Sequence, residues 1–268
     1  MSNKKIISHA FLITTFFGAI IVFILANSLP INGTTTAQIY ANNQTLFNPA
    51  AFTHYVWIPL ALMQLAYILY AFGVFKRKCI SENAIIVTSA FASLFYILTA
   101  GWVIVWQYEL LFVGVLLNIL MGVSLFLLNA HLQSLNVKGV CTLLTTMPFL
   151  SLLSWVTFIT SLNFFILFVS LDLVQNLAVW AIVNLAITTI IAIIASGTFA
   201  SLFYIAIMLW SFIGLLVEHI TVYNSTHLDM IYSIILAMFL LVLTAVFIIY
   251  SYAKIKNNKL TKMIKDKK

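Results

Sequence analysis

The sequence predicts an all-α, polytopic membrane protein with about eight transmembrane helices. Of its 268 residues 63% are apolar and only 7% are charged, and the mean hydropathy is +1.12. The apolar residues form stretches of about 20, the length of helix that crosses a bilayer. The basic residues fall in four clusters, and an even number of such stretches lies between successive clusters.

Each predicted span ends at charged, polar or turn-forming residues. Because Lys138 and the C-terminal lysines are expected on one side, residues 140–252 must hold an even number of crossings. Two would leave apolar sequence in water and six would not fit, so we expect four. Residues 165–175 give the weakest boundary. The eight spans are 6–29, 54–75, 84–106, 110–129, 141–166, 175–196, 200–218 and 229–252.

The positions of the basic residues predict the orientation of the chain. Short basic segments beside membrane helices stay in the cytoplasm. We therefore expect a multi-pass protein of the cell membrane with both termini cytoplasmic. The net charge of +7 needs no nucleic-acid partner, because lysines at the membrane surface bind anionic lipid headgroups. The clusters are Lys4 and Lys5, residues 76–78, Lys138 and residues 254–268.

The sequence favours no enzymatic or metal-binding role. It holds no phosphate-binding glycine loop, zinc-protease motif or nucleophile elbow. Cys79 and Cys141 match no metal motif, and a reducing cytoplasm predicts that they stay unpaired. The first apolar stretch is longer than the core of a signal peptide, so we expect it to be a retained helix. No cofactor is expected.

Polar residues within the spans are neutral. Every Asp and Glu lies at or beyond a predicted helix end, which disfavours an ion-driven pump because such pumps usually carry ionisable groups inside the bilayer. Gln64, Asn118 and Asn184 fall near span centres. Hydrogen bonding between helices is the favoured interpretation for each, and contact with a ligand is the alternative.

The tryptophans suggest either an interfacial belt or a binding pocket. Trp102 and Trp106 are four residues apart and so share a helix face. A belt at the headgroups accounts for Trp106 and Tyr108. Trp155, about 15 residues into its predicted span, lies roughly 22 Å from the cytoplasmic end, too deep for a belt.

Several motifs resemble those of the bacterial tryptophan-rich sensory proteins, relatives of the TspO/translocator (peripheral benzodiazepine receptor) family. Their order and spacing carry the resemblance, which covers most of the chain. It implies five TspO-like helices in residues 1–168 and three added helices in 169–268, as in the longer, eight-helix bacterial type. The motifs are SLPING at 28–33, FNP at 47–49, Trp57, GWVIVWQYE at 101–109, Pro148 with LSWVT at 153–157, Asn163, and MLWSFIG at 208–214.

The resemblance implies that a flat hydrophobic molecule such as a porphyrin, haem or sterol is bound for sensing or transport. Trp57, Trp102, Trp155 and Asn163 are the expected ligand-binding residues, since they converge on one half of the bundle. Pro148 is expected to kink the fifth span and so shape the pocket, although a packed kink without a cavity is equally compatible.

Two other functions remain open from the sequence. The first is a transporter or permease component that is not ion-driven, and the second is an intramembrane enzyme, which ranks last because no nucleophile–base pair lies in a span. The expected partners are membrane lipids and the apolar ligand, with a homodimer as an alternative to a monomer.

Overall fold

The computed structural model describes residues 3–29, 31–222 and 227–265, and these residues form a helical bundle. Pro30, residues 223–226 in the connection between the last two predicted spans, and the end of the basic tail lie outside these ranges. Within these ranges eight helical spans are long and apolar enough to cross a membrane, one of them the span Ala51–Ala71, in which a 3₁₀ turn precedes the α-helix, and this confirms the predicted fold class. The helices are α1 (Asn3–Ser28), α2 (Thr36–Asn42), α3 (Trp57–Ala71), α4 (Glu82–Gln107), α5 (Leu111–Ser134), α6 (Val140–Thr145), α7 (Met147–Ser170), α8 (Leu177–Phe199), α9 (Leu202–Thr221) and α10 (His227–Lys265).

Local signals in the sequence set the helix ends. Ser81, Asn176 and Ser201 are N-caps whose side chains accept hydrogen bonds from the first turns of α4, α8 and α9. The uncertain boundary near 165–175 resolves into an end of α7 at Ser170, followed by Asp172 in the left-handed conformation. A short turn therefore suffices to reverse the chain between α7 and α8.

Helix α7 is the centre of the bundle. Its sequence is apolar on all faces, and 67% of its span is buried, against 17% of the last span, Ile231–Tyr252. Helices α1, α4 and α5 pack side by side on one flank, while α8, α9 and α10 form the other. We call the end that carries residues 31–50 the loop end and the end that carries residues 76–78 and Lys138 the basic end.

The fifth predicted span is interrupted beside Pro148, where two helices meet. Helix α6 ends at Thr145, and α7 begins at Met147 with Pro148 in its first turn. Proline has no N–H to donate, so it is tolerated at the start of a helix and interrupts one when it falls inside. The expected interruption at Pro148 falls at Thr146, and the long helix of the fifth span starts later than predicted.

The second span is shorter than predicted at its basic end and begins with an irregular segment. Helix α3 has 15 residues, about 22 Å at 1.5 Å per residue, less than the thickness of a bilayer core. A 3₁₀ turn, Ala51–Val56, precedes it within the same span. The chain before α3 must therefore enter the bundle rather than stay at the surface.

Two of the three amide side chains near span centres form hydrogen bonds with another helix. The Gln64 amide donates to the carbonyl of Pro148 at 3.0 Å and accepts from the Tyr96 hydroxyl at 2.8 Å. Asn184 accepts from the Ser161 hydroxyl at 2.9 Å. The favoured interpretation is confirmed for these two residues. Asn118 differs, since neither of its amide atoms has a hydrogen-bond partner among the described residues.

The cysteines correct another prediction. Cys79 and Cys141 form a disulfide, with Cα atoms 5.3 Å apart, so the expectation that they stay unpaired is wrong. Cys79 lies in the connection between α3 and α4, and its N–H donates to the Tyr70 hydroxyl at 3.1 Å. Cys141 lies at the start of α6. The expectation rested only on the reducing chemistry of the cytoplasm. The fold, in contrast, brings the two cysteines together at the basic end.

Candidate ligand-binding site

Residues 45–56, which we call the re-entrant segment, pass from the loop end into the bundle. Phe47 is fully buried there, with its ring 5.9 Å from that of Phe158 and 6.0 Å from that of Phe165 on α7. Non-helical backbone at membrane depth needs protein partners for its N–H and C=O groups, because lipid supplies none. The structure provides them from α9.

Three residues of α9 hold the backbone of this segment, and we call them the α9 clamp. His219 Nε2 hydrogen-bonds the carbonyl of Leu46 at 2.7 Å. The carbonyl of Gly214 accepts from the N–H of Ala50 at 3.0 Å. The third member is Trp210, whose indole N–H donates to the carbonyl of Thr53 at 3.0 Å.

The clamp shows how deep the segment reaches. At about 1.5 Å per residue, Trp210 lies about 12 Å from the basic end of α9, a helix about 30 Å long. Gly214, which packs directly against the Thr53 side chain, lies about 18 Å from the same end, so Thr53 lies close to the middle of α9. At Gly214 the fit is so close that an added Cβ would overlap the Thr53 side chain. Only glycine permits this approach of the segment to α9.

Residues 31–44, the part of the loop that precedes the re-entrant segment, are held by α4. Thr35 and Gln38 form a capping box at the start of α2. The Thr36 hydroxyl shares a hydrogen bond of 2.7 Å with the Gln107 amide at the end of α4. Within the loop, Asn48 Oδ1 accepts from the Thr45 hydroxyl at 2.7 Å. The loop is thus a fixed roof, bound to α4 on one side and to α9 on the other.

A cavity of about 460 Å³ lies below this roof. It falls within the range of about 300–1,000 Å³ that small-molecule sites occupy. Its walls come from α1, α2, the 3₁₀ turn, α3, α4, α7 and α9. The lining residues that carry aromatic or polar side chains are Phe23, Asn27, Thr36, Tyr40, Gln44, Asn48, His54, Tyr55, Trp57, Trp102, Trp106 and Glu218.

Seven aromatic rings form a continuous chain at the cavity, and all of them except Trp155 line it. Adjacent ring centroids in this chain are between 5.0 and 6.0 Å apart, a separation typical of aromatic pairs. The chain joins four helices, α2 and the 3₁₀ turn, so a displacement of the roof would break it. Its order is Trp102, Trp106, Tyr40, His54, Trp155, Trp57 and Phe23.

The cavity wall carries few charged side chains, and the charge it has is negative. Glu218 is the single carboxylate among the lining residues described, and neither Lys nor Arg is among them. Burial raises the pKa of the Tyr40 phenol well above its usual range, so this group stays neutral at all physiological pH values. His54 has the imidazole that could ligate a haem iron. In the described ranges no group of three or more His, Cys, Asp or Glu could hold a metal ion.

The structure places the predicted site residues in different positions. Trp57 and Trp102 line the cavity. Trp155 is fully buried one layer behind, with its ring 6.0 Å from that of Trp57. Asn163 is buried further along α7, and Pro148 is buried at the start of that helix. Neither Asn163 nor Pro148 lines this cavity.

Four further residues of the cavity were not expected from the sequence. Trp106 is only 2% exposed and lines the cavity, so its assignment to a headgroup belt is wrong, whereas Tyr108 is exposed. Tyr40, His54 and Glu218 were missed because the loop and α9 were not expected to meet. The capping box at Thr35 was the available signal that α2 would form over the site.

A second space adjoins the cavity. It has a volume of about 380 Å³ and lies between α1 and α3, two helices that touch little. Phe23 and Trp57 line both spaces, with their rings 5.8 Å apart. These two side chains thus separate the cavity from the gap between α1 and α3.

Comparison with known proteins gives one match. The sequence model of a family described as "TSPO-like protein" matches residues 9–253. The match includes the cavity, the re-entrant segment and the α9 clamp. No curated protein and no solved structure matches the chain significantly.

Replacing Gly214 with alanine should displace the re-entrant segment. The new Cβ would overlap Thr53, and overpacking of this kind costs about 1–3 kcal/mol. We expect Gly214→Ala to lower the free energy of unfolding by that amount in detergent. Adding Thr53→Ala to the same chain should restore part of the loss, because it removes two of the overlapping atoms.

Gly18→Ala is the matched control. Gly18 lies in α1 with open space where its Cβ would stand, so this change should leave stability unchanged or slightly raised. Equal stabilities for the Gly214 and Gly18 variants would contradict the close packing of the segment against α9.

Proposed function

The chain belongs to the TSPO-like protein family, and we propose that it binds a flat, neutral, hydrophobic small molecule in the cavity below its loop. Porphyrins and sterols are the ligand classes that the family resemblance suggests. The observation that carries the proposal is the chain of seven aromatic rings, six of which line a cavity of about 460 Å³. Such a wall offers π-faces to a planar ligand and few groups that would need hydrogen bonds.

The electrostatics of the cavity favour a neutral ligand over an acidic one. With Glu218 in the wall and no lysine or arginine among the described lining residues, a ligand carboxylate would be buried without a counter-ion. Burial of an unpaired charge is strongly unfavourable. Among porphyrins, those with esterified side chains should therefore bind more tightly than those with free acids.

The gap between α1 and α3 supports access from the bilayer. A membrane-soluble ligand that occupies this gap needs only the Phe23 and Trp57 side chains to move before it reaches the cavity. The roof, in contrast, is held by hydrogen bonds on two sides. Passage through this gap would serve either a receptor that samples ligand from the membrane or a transporter that moves it.

We favour binding over catalysis for this site. The cavity wall is largely aromatic, and its ionisable groups include His54 and Glu218 but no serine or cysteine nucleophile among the described lining residues. Nucleophilic catalysis needs such a group beside a base. The proposal therefore concerns sensing or transport of the ligand.

Substitution of the lining tryptophans tests the proposal. Trp57→Ala and Trp102→Ala should each weaken binding of protoporphyrin dimethyl ester to the purified protein about tenfold, because each removes one wall of the stack. Trp180→Ala is the matched control: Trp180 is 43% exposed and lies on α8, away from the cavity. Binding is measured by porphyrin absorbance in variants shown to be folded. Equal losses at Trp57 and Trp180 would mean that the tryptophans serve the membrane.

The preference for a neutral ligand provides an internal check. Protoporphyrin with free carboxylates should bind several-fold more weakly than its dimethyl ester, and Glu218→Gln should reduce that difference. Tighter binding of the free acid than of the dimethyl ester would contradict the argument that the cavity disfavours a ligand carboxylate.

We propose that the protein lies in the cell membrane with its basic end in the cytoplasm. The support is the segregation of the basic clusters to one side of the spans. The disulfide at the same end is a contrary observation, since disulfides persist mainly in oxidising compartments. We give the basic residues more weight, because they occur at four places along the chain. In this orientation the cysteine pair would be exposed to cytoplasmic reductants.

Cysteine labelling decides the orientation. In a chain with Cys79→Ser and Cys141→Ser, a membrane-impermeant maleimide should label Asn42→Cys in intact cells. Asn257→Cys, beyond the last span, should be labelled only after permeabilisation. Labelling of Asn257→Cys in intact cells would reverse the proposed orientation.

A further inference from the structure

A third and larger space lies on the opposite side of α7 from the roof cavity. It is a groove of about 640 Å³ between α5, α7 and α8. Gly122 on α5 makes room in its floor, and Phe126, Phe164 and Trp180 contribute aromatic walls. Helix α8 presents exposed apolar side chains here, so the groove opens toward the lipid.

A polar band crosses this apolar groove. Asn184 on α8 and Ser161 on α7 are hydrogen-bonded to each other, and the Thr188 hydroxyl bonds that of Ser161. Asn118 on α5 lies opposite in the floor, fully buried, and neither atom of its amide has a partner in the described ranges. A buried amide without a hydrogen bond is costly. A ligand group seated in the groove could supply the missing bond.

The depth of the band excludes a phospholipid headgroup as that ligand group. At 1.5 Å per residue, Asn118 and Asn184 each lie about 10 Å from the loop end of their helices, and Ser161 lies about 14 Å from it. These positions are inside the hydrocarbon core, whereas headgroups stay at its surface. The matching group must therefore be neutral and carried into the core on an apolar molecule.

The groove is long and runs along α8, which favours a long ligand. It extends along α8 from Trp180 to Thr198, about 27 Å at 1.5 Å per residue. Its basic end is closed, because Gln133 on α5 donates to the Thr198 carbonyl at 2.7 Å and the rings of Phe126 and Phe199 are 5.6 Å apart. A long flexible chain could lie in the closed part, with a more compact polar group at the band.

We propose that this groove binds a neutral, long-chain molecule of the membrane that carries a ring carbonyl, the chemistry of a prenylated quinone. Its carbonyl accepts from the Asn118 amide, the ring lies beside Trp180, and the chain extends toward Phe126. An amide donates and accepts, so the reduced hydroxyl form binds as well. This site is separate from the roof cavity and does not depend on the proposed function.

Decylubiquinone is a suitable probe, because quinones quench tryptophan fluorescence on contact. Titrated into the protein in nanodiscs, it should give a saturable quenching that Trp180→Phe removes and Trp57→Phe retains. Asn118→Leu should weaken the saturable binding about five- to tenfold through loss of the hydrogen bond. Gly122→Leu, which fills the floor of the groove, should abolish it.

Asn163→Leu is the matched control, because Asn163 is also a buried amide without a partner among the described residues yet lies outside the groove. It should leave quinone binding unchanged. Two results would overturn the proposal: quenching that rises linearly with quinone in every variant, which indicates simple partition into the bilayer, or equal losses at Asn118 and Asn163. Loss of porphyrin binding in the Trp57 and Trp102 variants would not affect the proposal of a quinone site, because the two sites are separate.

Discussion

The hydrogen bonds between the re-entrant segment and α9 are the interaction on which the rest of this structure depends. A chain that enters a bilayer without helical bonding must find partners for its backbone inside the protein. Leu46, Ala50 and Thr53 find them at His219, Gly214 and Trp210. Without these contacts the segment would have to return to the loop end, and the cavity would lose its roof.

This constraint gives the C-terminal helices a part in the site. Most of the cavity wall comes from α1 to α4, but the roof is held by α9, and α10 packs against α8 and α9. Helix α7 joins the two halves, since its Trp155 belongs to the aromatic chain and its Phe158 packs against Phe47 of the segment. A construction of this kind would couple the proposed ligand binding to the packing of α9, because movement of the roof would alter the cavity and the clamp together.

The sequence predicted the spans well and the site only in part. Apolar length determines a membrane helix, so eight spans followed from local composition. Trp57 and Trp102 were expected at the cavity because motif spacing placed both near the loop end. The contacts of Trp210, Gly214 and His219 could not be predicted, since they join segments more than 150 residues apart whose local sequence gives no sign of the pairing. The error for Trp106 had the same cause: a tryptophan at a helix end resembles a belt residue until a roof covers it.

Amide hydrogen exchange of the intact protein in detergent tests the central claim most directly. The N–H of Ala50 is bonded to Gly214, and the segment around it is buried against α7 and α9. We predict that peptides covering residues 45–56 exchange as slowly as those of α9, while residues 31–34, which lie before the capping box of α2, exchange quickly. Exchange of residues 45–56 at the rate of 31–34 would show that the segment does not enter the bundle, and would contradict the account of the cavity.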